Sequence, residues 1–422
     1  MNAEIVSIGD ELLIGQVVNT NASWLGEQLS QLGITVRRVT TVGDDHDQVL
    51  ASFSRAWEEQ DIVLVTGGLG PTHDDVTREA VCDFFATELI RDDDVLADIE
   101  SFFSERRRPL TDVNRDQAMV PAAARILRNP DGTAPGYHFT RDEKHFFVMP
   151  GVPYEMHGMV ERNILPMLRA SFDGSHLSHT ILTTGIPEST LSDILRGIET
   201  HTADTRVAYL PSPAGVRIRL TALARQQETG YAALETLRSF VQDRAGEYIF
   251  GSGKETLESV VGTMLASAAK TLAVAESCTG GLITDRITNV PGSSIWFDRG
   301  IVCYSNASKT DMLGVPAPLI ETHGAVSREV AEAMAEGIRR VSGCAIGIAT
   351  TGIAGPSGGS EAKPIGLVWI SLSTDSNLVS HSFYFGDHRM RTKQRAAQAA
   401  MDMVRRSLLD LPPIPSNLTE AT

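Results

Sequence analysis

Short apolar runs alternate with amphipathic stretches from the start of the chain. Glu4–Ile8, Thr35–Val42 and Asp61–Thr66 are strand-like, and helical periods cover Asn21–Leu32 and Gln48–Glu58 between them. This rhythm predicts βαβ units and a parallel sheet. Asp61–Thr66 (DIVLVT) is a continuous apolar and β-branched run, as expected of a central strand covered on both faces. Residues 171–251 read differently, with strands over Thr180–Thr184, Arg206–Tyr209 and Val216–Ala222 and helices over Glu188–Glu199 and Gly230–Ala245. Val216–Thr221 alternates apolar and polar residues, so its sheet has one solvated face. After the Gly251-Ser252-Gly253-Lys254 hinge a helix over Leu257–Ala269 restarts the βαβ rhythm, placing a boundary near residue 252. The expected class is α/β: a parallel-sheet domain over 1–170, an α+β linker or dimerisation module over 171–251 and a second α/β domain over 255–410.

Composition narrows the function classes. A chain of 422 residues exceeds the size at which one core stops growing, so two or three domains are expected. The opening residues lack a basic segment, an apolar core and a cleavage site, and no run approaches the about 18 apolar residues of a membrane helix. A cytoplasmic protein without membrane contact follows as the expectation. Cys82, Cys278, Cys303 and Cys344 form no C-x-x-C unit, which indicates neither a zinc site nor a disulfide framework. The net charge of −16 opposes binding to a polyanion, and the middle module, although KH-like in arrangement, has no G-x-x-G loop. Direct nucleic-acid binding is therefore disfavoured.

Chemistry concentrates at strand ends in the last third. Thr271–Ala275 is a strand, Glu276-Ser277-Cys278-Thr279-Gly280-Gly281 a tight turn, and Leu282–Asn289 a helix. Such a turn sets Ser277 beside the N–H groups of a helix N-terminus, where a phosphate or an oxyanion could be held; capping the helix is the structural alternative. A second strand delivers Tyr304, and the turn or helix after it delivers Lys309. With no histidine nearby, an amine or a phenolate must activate the serine, and the residues alone do not choose between them. The run Cys344–Ala349 leads into Thr350-Thr351-Gly352-Ile353-Ala354-Gly355-Pro356-Ser357-Gly358-Gly359, where Thr351 and Gly352 would add donors at a neighbouring strand end.

ESCTGG, CYSN-x-x-K, HGAVS (His323–Ser327), TGIAGPSGG and KPIGLVW (Lys363–Trp369), in this order over residues 255–408, resemble the C-terminal domain of the CinA family. The resemblance implies a nicotinamide mononucleotide deamidase that forms nicotinate mononucleotide and ammonia without a cofactor. By motif match Ser277 is the nucleophile, Tyr304 and Lys309 the activating pair and Thr351 a stabiliser. Thr279, Gly280, Gly281, Asn306, Gly352, Gly355 and Arg389 are then substrate-binding. The chain departs from the family's Gly-Asp-Arg with Gly386-Asp387-His388-Arg389, so Arg389, or Arg391 in its place, is the candidate for the phosphate.

SIGDELL, TGGLGPTHDDVT, GTAPGY (Gly132–Tyr137) and PGVPYEM (Pro150–Met156) resemble the MoaB/MogA-like domain that begins full-length CinA proteins. In that context Gly67, Gly68, Gly70 and Thr72 would cradle a nucleotide, Asp10 and Asp75 would share a divalent ion such as magnesium or cobalt, and ADP-ribose would be hydrolysed. His73 reads as a loop residue. The resemblance also implies a homodimer. Molybdopterin binding, or a non-catalytic role in competence or DNA damage, is the alternative.

Overall fold

The computed structural model describes residues 1–70, 76–170, 175–201, 205–224, 227–415 and 417, and the three apolar runs of its first part are strands β1 (Asn2–Ile8), β2 (Thr35–Val42) and β3 (Ile62–Thr66). All five β3 side chains are buried, which is why that strand shows no polar alternation. Helices α1 (Thr20–Gln31) and α2 (His46–Glu59) connect the strands, and each starts where a side chain can cap it: Asn19 accepts from Ala22 N–H and Asp45 from Gln48 N–H. Strands β4 (Leu89–Arg91) and β5 (Met119–Pro121) form a small antiparallel pair. With β6 (Arg125–Leu127), β7 (Gly136–Arg141) and β8 (Lys144–Met149) the main sheet runs β2-β1-β3-β8-β7-β6.

The four strands β2, β1, β3 and β8 are parallel, as the βαβ rhythm predicts, but the β8–β7 and β7–β6 pairings are antiparallel. Asp142 and Glu143 join β7 to β8 at φ values of 51° and 63°, a two-residue turn that permits only an antiparallel return. The chain leaves β1 for β2 on one side and comes back to β3 on the other. The carboxyl ends of β1 and β3 therefore flank a switch point.

The chain folds as two compact units, residues 1–177 with 223–230, and 178–222 with 231–422. In the second, β9 (Ser175–Thr183), β10 (Thr205–Ser212), β11 (Gly215–Ala224) and β12 (Ile249–Ser252) form a sheet in the order β10-β11-β9-β12, beside α3 (Gln227–Ala245). Val216, Ile218, Leu220 and Ala222 point into its core while Arg217 faces solvent, so the alternation in sequence is the alternation of faces.

The same unit contains a five-stranded sheet in the order β14-β13-β15-β16-β17, built from β13 (Leu272–Glu276), β14 (Phe297–Val302), β15 (Ile346–Gly352), β16 (Leu367–Ser373) and β17 (Leu378–Tyr384). β13 is parallel to β14 and β15, and β16 and β17 extend the sheet antiparallel. Val261 and Leu265 of α4 (Leu257–Ser267) cover one face beside Val274 and Ile348, and helix α5 (Leu282–Thr288) packs there through Ile283 and Ile287. Helix α6 (Asn306–Leu313) precedes α7 (Arg328–Ser342), which covers the other face with Val330, Met334 and Ile338, three residues one helical turn apart. A β-carbon on Gly347 would lie 2.4 Å from the Ala335 carbonyl oxygen, so only glycine lets α7 settle this close to β15.

Helix α8 (Arg389–Leu408) lies on the α4 face through Ala397 and Met401 and also holds the middle module. Gln398 donates to the Thr184 hydroxyl at 3.1 Å, and Arg405 donates to the carbonyls of Glu247 and Ile249 at 3.0 Å each and to Asp402 at 2.7 Å. All four cysteines are free: Cys278, Cys303 and Cys344 are buried in this unit, and Cys82 in the other is half-buried. Among the described residues no helix is long and apolar enough to cross a membrane.

Candidate active site

β13 ends at Glu276 and β15 at Gly352, with Glu276 paired to Thr350 and the Ser277 N–H donating to the Thr350 carbonyl at 3.0 Å. β14 ends beside them, since Cys303 N–H donates to the Glu276 carbonyl at 2.9 Å. Three parallel strands thus deliver their carboxyl ends to one place, at the second switch point of the molecule.

Lys309, on α6, reaches back into that place. Its side chain is 1% exposed, and Nζ lies 3.2 Å from Ser277 Oγ, 3.0 Å from the Cys303 carbonyl and 3.2 Å from the Tyr304 carbonyl. A carbonyl can only accept. As an ammonium Nζ donates to all three oxygens; as a neutral amine it directs its two N–H groups to the carbonyls and its lone pair to the Ser277 hydroxyl. Burial depresses the Lys309 pKa, which favours that neutral form.

The thiol next to the serine is a poorer nucleophile. Cys278 is buried, and burial pushes its pKa up to about 12, leaving it protonated near neutrality.

The helix N-terminus differs from the sequence expectation. Glu276, fully buried, turns its carboxylate under the turn and accepts the N–H groups of Gly281 (2.9 Å), Ile283 (3.1 Å) and Thr284 (2.9 Å) and the Thr284 hydroxyl (2.8 Å). A buried carboxylate without a cation persists only when bonded this fully. The first donors of α5 are therefore occupied, and Ser277, 7% exposed, accepts no capping bond from them.

A second group lies alongside. Tyr304 is 60% exposed, and its hydroxyl accepts from Arg389 at 3.3 Å, while Arg389 also donates to the Gly355 carbonyl at 2.9 Å. The structure thus joins Ser277 to Lys309, and Tyr304 to Arg389 and Gly355. Thr351 donates its hydroxyl to the Ala325 carbonyl of HGAVS at 2.7 Å, and Thr279 is bonded to Thr350 through their hydroxyls at 2.8 Å. Asn306 is exposed at the start of α6, and Gly352 is paired with Val368 inside the sheet. Glu276 and Lys393 received no role from sequence. Lys393 stands four residues after Arg389, a spacing that puts both on one helix face and could have flagged it.

In the first unit, Gly67 and Gly68 follow β3 with φ of 111° and 64°, and a β-carbon on Gly67 would meet the Ile8 carbonyl oxygen at 2.1 Å. Gly70 is exposed; Thr72, His73 and Asp75 lie outside the described residues. A cavity of about 100 Å³ at the ends of β1 and β3 is lined by Ser7, Asn21, Thr66, Gly67 and Gly151. Among the described residues Ser7 Oγ and Asn21 Oδ1 are buried there without hydrogen-bond partners.

The expected divalent-ion site is corrected. Asp10 accepts the Asp44 N–H at 3.2 Å, and its own N–H donates to the Asp44 carboxylate at 3.0 Å, so it pins a loop. Among the described residues no three His, Cys, Asp or Glu side chains come together as metal ligands.

The model of the CinA C-terminal domain matches residues 254–408, that of the damage-inducible protein CinA KH domain 178–251, and that of a probable molybdopterin binding domain 4–170. A putative competence-damage inducible protein of Caldicellulosiruptor bescii is 41% identical over 97% of this chain and 100% of its own length. The chain belongs to the CinA family. A CinA-like protein of Salinibacter ruber is 42% identical, again over 97% of this chain and 100% of its own. Among solved structures, CinA from Thermoplasma acidophilum is 38% identical, covering 38% of this chain and 94% of that one with a TM-score of 0.35. The competence/damage inducible protein from Agrobacterium tumefaciens is 39% identical, covering 36% and 93% with a TM-score of 0.35. This CinA chain accordingly has the family's three parts: a MoaB/MogA-like domain, a KH-like module and the CinA domain.

Proposed function

We propose that the CinA domain hydrolyses the amide of nicotinamide mononucleotide. The observation that carries this reading is the buried Lys309 amine, satisfied by two carbonyls and 3.2 Å from Ser277 Oγ. Ser277 Oγ attacks the amide carbon while its proton passes to Lys309 Nζ. The tetrahedral intermediate collapses, the C–N bond breaks, and Lys309 returns the proton to the departing nitrogen, releasing ammonia. Water then attacks the acyl-serine, giving its proton to Lys309, which restores the Ser277 hydroxyl as the nicotinate carboxylate leaves.

The choice of substrate rests on family resemblance together with the cationic start of α8. Ammonia release from nicotinamide mononucleotide by wild type, Ser277→Ala, Lys309→Ala and Cys278→Ala tests the reading. Wild type and Cys278→Ala should turn over, and the other two should fall about a thousandfold. No ammonia from wild type at high enzyme concentration refutes the reading, and a dead Cys278→Ala beside an active Ser277→Ala moves the nucleophile.

For the MoaB/MogA-like domain the cavity into which Ser7 Oγ and Asn21 Oδ1 bring buried polar atoms without a partner among the described residues supports binding of a small polar ligand at the β1/β3 switch point. Competition between ADP-ribose and a pterin for the purified protein separates the two ligand classes; binding of neither refutes this assignment.

A further inference from the structure

Placing an amide at Ser277 raises the question of what meets the charge at the substrate's other end, and this inference rests on the deamidase reading. The turn itself has little left to offer. Gly281, Ile283 and Thr284 donate to Glu276, Gly280 N–H donates to the Ser277 carbonyl at 3.1 Å, and Leu282 N–H donates to the Thr279 carbonyl at 3.4 Å. A phosphate bound near this turn needs a side-chain cation.

Arg389 is drawn toward the Gly355 carbonyl and the Tyr304 hydroxyl. One helical turn further on the same face, Lys393 is half-buried, and among the described residues no hydrogen bond or ion pair engages it. It overhangs the turn: a β-carbon on Gly280 would lie 3.4 Å from the Lys393 ammonium and would meet nothing within 4 Å except that side chain. Gly280 and Gly281, at φ of 61° and 91°, leave the floor beneath it bare. An unpaired, partly desolvated ammonium over an open glycine floor suits a phosphate monoester, whose charge it meets with three donors.

We propose that Lys393 receives the phosphate of the mononucleotide while Arg389 holds Tyr304 and the Gly355 loop at the edge of the site. Steady-state kinetics of wild type, Lys393→Gln and Lys393→Arg on nicotinamide mononucleotide, with ribose 5-phosphate as competitive inhibitor, tests this. Lys393→Gln should raise both KM and the inhibition constant of ribose 5-phosphate about tenfold, the loss of one charge-assisted contact, with kcat within about twofold. Lys393→Arg should restore both. A fall in kcat with the inhibition constant unmoved would place Lys393 at the reacting centre and overturn the assignment, as would a Lys393→Gln enzyme indistinguishable from wild type. An inactive wild type sinks the deamidase reading and this assignment together, whereas an active wild type with an unmoved KM in Lys393→Gln sinks the assignment alone.

Discussion

Lys309 Nζ has three neighbours, and of these only Ser277 Oγ can give it a proton. The amine accepts that proton only when neutral, so activity should be lost as pH falls through the Lys309 pKa and should level off above it. Burial lowers that pKa, which puts the limb below the ordinary lysine value. A pH profile of kcat/KM checks this, and Lys309→Arg, which stays charged, should lose a hundredfold or more, on the order of a general base's contribution. Tyr304→Phe should keep the limb and most of the activity; losing the limb would make the phenol the base. The sequence brought both residues to the strand end without choosing between them. A motif fixes which residues arrive, whereas the direction of a side chain at the end of β14 depends on what α6 and α8 place around it.

At the scale of the element, Glu276 decides how the strand-turn-helix unit closes. Its carboxylate joins the end of β13 to the start of α5 through four bonds. Glu276→Gln keeps the shape but sets an amide NH₂ against backbone donors. Urea unfolding should show a loss of about 1–3 kcal/mol, the cost of leaving buried polar groups unmatched, and kcat should fall as Ser277 loses its footing. An unchanged midpoint would show that the turn holds without the carboxylate. The turn was legible because glycines and a serine after an apolar run are strong local signals. The carboxylate was not, because capping rules look to the residue just before a helix, and Glu276 reaches α5 from the preceding strand. The β7–β8 hairpin was missed for a similar reason: Asp142 and Glu143 take left-handed φ values without a glycine to announce them.

At the scale of the whole chain, the βαβ rhythm foretold parallel strands, whereas the strand orders that create both switch points are set by pairing between distant segments. Long-range pairing was hidden. Arg405, 2% exposed, links α8 to the carbonyls of Glu247 and Ile249 across more than 150 residues, and nothing in a local window marks it. Arg405→Met would leave Asp402 and the Ile249 carbonyl without this donor, while Arg406 still reaches the Glu247 carbonyl at 3.3 Å. Guanidinium unfolding should register a loss on the order of 3 kcal/mol, and an unchanged midpoint would mean that the middle module is held by its apolar contacts alone. The metal expectation failed for a matching reason: carboxylates clustered in sequence near a strand end were read as ligands, and Asp10 turned out to pin a loop. The distribution of thiols has a practical consequence. Three are sealed in the unit that carries Ser277, and the only partly accessible one, Cys82, lies in the other. A maleimide probe should tag Cys82 alone in the native protein, and the later appearance of three further labels would time the opening of the catalytic unit without any reporter being engineered into it.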